Sequence, residues 1–93
     1  MEITFDNTKR DLTLKHRGLD FARGVDAFAG RTATVIDDRF DYGETRFITA
    51  GTLDGRVVVT VWTHRGEARH IISMRHCHAE EEEIWRRRMD RSR

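Results

Sequence analysis

Proline is absent from this 93-residue sequence, and cysteine occurs once, at Cys77. A single cysteine excludes an internal disulfide framework and is typical of a reducing compartment. No segment approaches the ~20 apolar residues of a membrane span, and the first residues lack the charged head and apolar middle of a signal peptide. We therefore expect a cytoplasmic protein without membrane contact. The length predicts a single domain over residues 1–93.

Motifs for metals and nucleotides are also missing. The chain has no CxxC, no HExxH and no glycine-rich phosphate loop. His76 and His78 would project to the same side of a strand, but a structural zinc site needs four ligands in recognised spacings. Cys77 at a strand end has no obvious partner to activate it as a nucleophile, apart from the glutamate run that follows. We expect neither a metal nor another cofactor.

The positive charge is almost entirely arginine and is unevenly distributed. Fifteen of the 17 Lys and Arg residues are arginine, and residues 45–77 carry five arginines against two acidic residues. Guanidinium binds phosphate through a planar fork that lysine lacks. This composition favours a polyanionic ligand, although arginine richness is also typical of some genomes.

The N-terminal half predicts a strand and two helices. Residues 2–5 alternate polar and apolar, Asp6 to Thr8 offer helix caps, and Gly18 is suited to end the first helix. Asp20 is a second cap, followed by the apolar spacing of Phe21, Val25, Phe28 and Ala29, which predicts an amphipathic helix that Gly30 ends. Residues 32–37 read as a strand and 38–43 as a loop.

Three β-rich segments follow, at residues 45–53, 56–63 and 68–77. Asp54-Gly55 predicts a type I′ hairpin, and Arg65-Gly66 marks a second turn, so we expect an antiparallel meander. In each hairpin the numbers of two paired residues add to a constant, which we call the pairing sum. The predicted sums are 109 for the first hairpin and 131 for the second, and they assign alternate residues to two faces. The predicted core face, packed beneath the first two helices, consists of Ile48, Ala50, Val57, Val59, Val61, Ile72 and Met74. The predicted open face consists of Phe47, Thr49, Val58, Thr60, Trp62, Ile71 and Ser73, beside Arg56, Arg69 and Arg75.

A final helix is predicted from about Ala79 to Met89. Its acidic residues lie in the first turn and its arginines in the last, which matches the helix dipole. Trp85 and Met89 share one side and would pack on the sheet. The predicted fold is thus α+β, with two N-terminal helices and a C-terminal helix packed on a mainly antiparallel sheet of four to five strands.

The open face is the main candidate for chemistry, since single-stranded RNA is bound by guanidinium groups and by aromatic rings that stack on bases. Cleavage without a metal needs a base for the ribose 2′-hydroxyl, a cation for the phosphate and an acid for the leaving oxygen. The cations would be Arg65, Arg69 or Arg75. Glu81 would orient an arginine or shuttle a proton, unless it only caps its helix, and His16 would be a base, unless it is a surface histidine.

The order of motifs resembles the BrnT toxins, small bacterial type II toxins related in fold to RelE. The resemblance covers about residues 3–85 and depends on these segments: Phe5-Asp6 and Lys9, Gly18 to Ala22, Asp37 to Arg39, Asp41 to Glu44, Arg46 to Ile48, Val57 to Val59, Trp62-Thr63, Arg65-Gly66 and Ile71 to Arg75. The DYGExR block and the IISxR strand are the most specific of them.

This resemblance implies a metal-independent endoribonuclease that inhibits translation by cutting RNA. By position it assigns catalytic roles to Arg65, Arg75 and Glu81 and puts Trp85 where the family usually has a tyrosine. The sequence pattern adds His16 as the candidate base, and it predicts RNA binding by Arg56, Trp62, Arg69 and Ser73, together with Trp85. The resemblance also implies a BrnA-like ribbon-helix-helix antitoxin, with operator DNA bound only through that antitoxin. The alternative is a non-catalytic or weakened RNA-binding or partner-binding module on the same fold, acting mainly in a repressor complex.

Overall fold

A five-stranded sheet forms the centre of the protein in the computed structural model, which describes residues 1–91. The strands are β1 (Ile3–Phe5), β2 (Ala33–Asp37), β3 (Arg46–Leu53), β4 (Arg56–Arg65) and β5 (Ala68–His76). Their order is β1-β5-β4-β3-β2, and β1 runs parallel to β5 while the other pairs are antiparallel. The α+β class is confirmed, with a sheet that is mixed because of its first strand.

Two tight turns set the register of the meander. Asp54 and Gly55 both have positive φ, 52° and 79°, as a type I′ turn requires. The second turn lies at Gly66-Glu67 rather than at Arg65-Gly66, because Arg65 pairs with Ala68. The pairing sum near this turn is therefore 133, two more than the predicted 131.

A β-bulge then changes the sides to which β5 residues point. Val61 pairs with Ser73 and the next residue, Trp62, pairs with Ile71, so Ile72 is an extra residue in β5. Such a residue reverses the alternation along a strand. As a result, Arg69 and Arg75 lie on opposite faces of the sheet, and the prediction that they share one face with Ser73 is wrong.

The N-terminal helices differ in how well their local sequence specifies them. Helix α1 (Asn7–Arg17) begins at Asp6, whose side chain accepts from the Lys9 N–H, and ends at Gly18 with φ 69°. The predicted second helix is instead a 3-10 turn (Phe21–Arg23) followed by a short α2 (Gly24–Phe28). Val25 is exposed and Ala27 is buried, so the predicted apolar stripe is only partly correct.

The main core lies between these N-terminal elements and the face of the sheet that was predicted to be open. We call it the α2 face, and its core residues are Leu53, Val58, Trp62, Ile71 and Met74, packed with Leu19, Phe21, Ala27 and Phe28. The expected burial of Met74 is confirmed. Val57 and Val59 are buried as expected, but on the opposite face rather than beneath the first helices. Val61 and Ile72 are only half-buried, and Ile72 lies beside α1.

Helix α3 (Ala79–Arg91) packs on the opposite face, which we call the α3 face. Met89 forms a small cluster there with Ala33, Ala50 and Val57, and Trp85 packs against it. The predicted packing of Trp85 and Met89 on the sheet is thus confirmed. Because α3 contacts β2, β3 and β4, it covers one corner of this face. Val35, Ile48, Val61 and Ser73 elsewhere on the face are only half-buried.

Gly51 allows α2 to approach β3. A Cβ atom built on Gly51 would overlap the carbonyl oxygen of Ala27, and a backbone atom cannot turn away as a side chain can. Gly51→Ala should therefore destabilise the protein by about 3 kcal/mol in urea unfolding. Gly30→Ala is the control, since Gly30 has φ 75° but open space around it, and should cost about 1 kcal/mol. Equal losses for the two variants would contradict the steric explanation.

Candidate functional site

A polar row crosses one end of the α3 face. It takes one residue from each strand in spatial order, because the pairs Asp37–Arg46, Arg46–Thr63, Thr63–His70 and His70–Thr4 are all cross-strand partners. The Thr63 hydroxyl donates to the Thr45 carbonyl at 2.6 Å. Arg46 and His70 lie on either side of Thr63. The row therefore puts a guanidinium and an imidazole on the same part of the sheet.

Asp37 anchors the loop that leads into this row. Its side chain is 1% exposed. Its carboxylate accepts two hydrogen bonds from the Arg39 guanidinium and one from the Tyr42 hydroxyl. The Arg39 bonds lower the pKa of Asp37 to about 2, although its burial acts in the opposite direction. Asp37 thus stays charged at neutral pH and fixes residues 39–42 against the sheet.

Glu44 orients two arginines at the end of that loop. Its carboxylate accepts from Arg65 Nη1 at 2.9 Å and from Arg46 Nε at 3.2 Å, and these bonds lower its pKa. The Arg46 guanidinium also lies 4.0 Å from the centre of the Tyr42 ring. The DYGExR motif therefore builds a fixed pair of guanidinium groups. Sequence reasoning gave no role to Arg46 or Glu44, although the correct pairing sum of 109 already placed Arg46 beside Thr63.

Arg75 and Glu81 form a second site at the other end of the α3 face. Arg75 Nη1 donates to Glu81 Oε1 at 2.6 Å and Nη2 donates to Oε2 at 3.4 Å. Glu81 also accepts the His78 backbone N–H, as in one half of a capping box at the start of α3. The Arg75 bond lowers the pKa of Glu81 to about 2. Glu81 is therefore suited to orienting Arg75 and unsuited to shuttling a proton near neutral pH.

The two arginine sites are well separated. Arg65 ends β4, while Arg75 pairs with Val59 six residues earlier in that strand, which places the two backbones roughly 20 Å apart. Each guanidinium is held by its own carboxylate. The structure thus divides the predicted set of Arg65, Arg75 and Glu81 into two separate positions along one face.

Three of the predicted RNA-binding residues are not on this face. Trp62 is buried in the main core, stacked on Phe47 at 4.7 Å, and its indole N–H donates to Thr49. Arg69 lies over the Trp62 and Phe28 rings, at 4.4 and 4.7 Å from their centres. Arg56 is exposed at the hairpin turn, and the alternation along β4 puts it on the α2 face with Val58. The prediction that Trp62 offers a free surface for base stacking is wrong.

His16 and Ser73 line a shallow groove of about 270 Å³ between α1 and β5. Lys9, Leu12, Thr13, Arg17 and Ile72 complete its lining. Arg17 Nη1 donates a hydrogen bond to the Met74 carbonyl at 3.0 Å, which connects helix α1 to strand β5. His16 itself is exposed, and Trp85 is half-buried against the cluster beneath α3.

Cys77 and the histidines do not assemble into a metal centre or a nucleophilic pair in the described part of the chain. Among residues 1–91, no group of three or more His, Cys, Asp or Glu side chains is arranged to hold a metal ion. Burial raises the pKa of the Cys77 thiol to about 11, and the neighbouring Glu81 acts in the same direction. The thiol is therefore protonated near neutral pH and is a weak nucleophile.

The fold and this face together define a small α+β protein with oriented guanidinium groups on one side of its sheet. The family described as the ribonuclease toxin, BrnT, of type II toxin-antitoxin systems matches residues 5–81. Because this match includes 77 of the 93 residues, the chain belongs to the BrnT family. RNA as the substrate and an antitoxin as the partner follow from that membership. No curated protein matches the chain.

No helix among the described residues combines the length and apolar character that crossing a membrane requires.

Proposed function

We propose that this protein is a metal-independent endoribonuclease that inhibits translation, and that RNA binds along its α3 face. The observation that carries the proposal is that Arg46, Arg65 and Arg75 lie on one face, each oriented by a carboxylate. Oriented guanidinium groups bind phosphate with little further loss of side-chain freedom. The two acidic partners leave this set of charges net positive, which favours RNA.

The two ends of the face serve different phosphates in this proposal. Arg65, with Arg46 beside it, stabilises the charge that develops on the phosphate being cut. Arg75, positioned by Glu81, binds a phosphate further along the strand. Ser73 lies between the two ends, and the half-buried Trp85 of α3 would contact a nearby base. His16, the candidate base from the sequence, lies in the groove at the border of this face.

The cleavage step needs only groups that proteins supply. The 2′-hydroxyl loses its proton, its oxygen attacks the adjacent phosphorus, and the bond from phosphorus to the 5′ oxygen breaks as that oxygen takes up a proton. The products are a 2′,3′-cyclic phosphate and a 5′-hydroxyl. A guanidinium beside the phosphate replaces the charge that a metal ion would otherwise contribute.

We further propose that the antitoxin is a BrnA-like ribbon-helix-helix protein that covers the α3 face, and that operator DNA is bound only through it. Electrostatic complementarity would then require acidic or apolar residues in the antitoxin segment that lies there. A non-catalytic module remains the second candidate. It is favoured by the ion pairs that occupy Arg65 and Arg75, since these pairs must rearrange or share their donors before phosphate binds.

The test is cleavage of a defined RNA by the purified protein, with and without EDTA, together with a translation reporter. We expect equal cleavage in both conditions, 2′,3′-cyclic phosphate ends, and suppression of both effects by the antitoxin. Loss of cleavage in EDTA would contradict metal independence. An absence of cleavage together with tight antitoxin binding would favour the non-catalytic module.

A further inference from the structure

We infer that His70 is the general base of the cleavage step and that Thr4 positions its ring, an assignment that rests on the proposed ribonuclease function. His70 lies in the polar row, between Thr63 of β4 and Thr4 of β1. This position puts an imidazole on the same face as the arginines.

The ring of His70 is fixed by a single contact that leaves its other nitrogen available. Nδ1 lies 2.8 Å from the Thr4 hydroxyl oxygen. When Nδ1–H donates to that oxygen, Nε2 carries the lone pair that a base needs. Within residues 1–91, Nε2 has no hydrogen-bond partner.

Arg65, the cation proposed to bind the reacting phosphate, faces this ring. Arg65 is two residues beyond the Thr63 that pairs with His70, so it lies diagonally across from the histidine on the same face. Glu44 holds Arg65 through one oxygen and Arg46 through the other. A phosphate bound by Arg65 would therefore have its ribose close to His70.

Burial, with two neighbouring cations, lowers the pKa of His70 and favours its neutral ring. The groups that face it are Arg65 from β4, Lys9 and Asp6 from the start of α1, and Glu44 from the loop before β3. Burial is the main cause that lowers the pKa of His70, and the two cations add to it while the two carboxylates oppose it. A neutral imidazole at physiological pH can accept a proton.

The same criteria distinguish His70 from His16. The His16 ring is exposed on α1, and no contact within the described residues holds it in one orientation. A base must lie within hydrogen-bond reach of the hydroxyl that it deprotonates. A ring held by Thr4 and facing Arg65 meets that condition better than an exposed ring on the helix surface.

In the proposed step, Nε2 of His70 takes the proton of the 2′-hydroxyl while that oxygen forms its bond to phosphorus. The phosphorus–5′ oxygen bond breaks, and the 5′ oxygen takes a proton from water. The resulting hydroxide is neutralised by the imidazolium, which regenerates neutral His70. The net reaction is a transesterification that consumes no water and no other reactant.

The experiment measures kcat/KM for a short defined RNA between pH 5 and 8, with His70→Asn as the test variant. We expect about a hundredfold loss at pH 7. The wild-type rate should rise with pH to a plateau, with a midpoint below the ordinary histidine value, and this dependence should vanish in the variant. Thr4→Val should lower the rate about tenfold and shift the midpoint, while Thr4→Ser should restore both.

His76→Asn is the matched control. His76 is half-buried on the same strand but pairs with Val58 on the α2 face, so its loss should leave cleavage and the pH profile unchanged. If the wild type cleaves RNA and His70→Asn remains active, the assignment of His70 is overturned while the proposed function stands. The same follows if the pH dependence is lost in His16→Asn and kept in His70→Asn. An inactive wild-type protein would overturn the proposed function and this assignment with it.

Discussion

Replacing Arg65 by alanine should lower kcat for RNA cleavage several-hundredfold while leaving the melting temperature nearly unchanged. The Arg65 guanidinium faces the proposed base, and removing one preorganised donor typically costs a factor of about 100 to 1,000 in rate. Its side chain is 50% exposed and its ion pair with Glu44 lies at the surface, so the pair contributes little to folding. Arg65→Lys should recover only part of the rate, since lysine cannot make the planar two-point contact.

Arg75→Ala should give a different kinetic result. If Arg75 binds a phosphate away from the reacting bond, its loss removes binding that is equal in the ground and transition states, which raises KM about tenfold and changes kcat little. Glu81→Ala should resemble it, because Glu81 orients Arg75. Arg87→Ala controls for charge, since among residues 1–91 Arg87 pairs only with Glu83, in a solvent-exposed part of α3. If Arg75→Ala lowers kcat while Arg65→Ala keeps a normal kcat, the bond is cut at the Arg75–Glu81 site rather than beside Arg65.

Trp62→Ala should unfold much of the protein at 37 °C, with a loss of about 3 to 5 kcal/mol in the free energy of unfolding. Trp62 is 4% exposed and contacts Phe28, Phe47, His64 and Arg69 through its ring. A domain of this size has little stability to spare. Urea unfolding followed by circular dichroism would measure the loss.

Two further variants separate a core role from an RNA-stacking role. Trp62→Phe keeps most of the apolar volume and loses the indole N–H bond to Thr49, so it should cost only about 1 to 2 kcal/mol and leave RNA cleavage intact. Trp85→Ala should cost less stability than Trp62→Ala, because Trp85 is half-buried. A Trp62→Ala protein that melts like the wild type but fails to bind RNA would restore the stacking interpretation.

Most of the elements were predictable because they have local signals at their ends. Asp6 and Gly18 bound α1, and Asp54-Gly55 adopts the expected turn with positive φ at both residues. Gly24 shows where such signals fail. It looks like an ordinary helix residue, yet a Cβ atom there would overlap the Ile71 side chain, and this packing demand arises from a strand nearly fifty residues away.

The roles of the two faces could not be predicted for a different reason. Val57 to Thr60 are all buried, so β4 shows no apolar alternation that would distinguish the main core from the other face. The bulge at Ile72 then reversed the alternation of β5, and no turn residue marks it. These two features explain why Arg75 was correctly placed on an accessible face while Trp62 and Arg69 were not. No sequence pattern pointed to a catalytic role for His70, because its contact with Thr4 joins residues 66 positions apart.

The short first strand has a consequence for solubility. β1 pairs only with Arg69 to Ile71 of β5, so in the described chain the outer edge of β5 beyond Ile71 has no neighbouring strand. An uncovered edge of this kind is a template for pairing with another molecule and leads to aggregation. Helix α1 lies along that stretch, and Arg17 occupies the Met74 carbonyl that a foreign strand would need. The helix thus protects the sheet from edge-to-edge association, so shortening α1 would expose an adhesive strand.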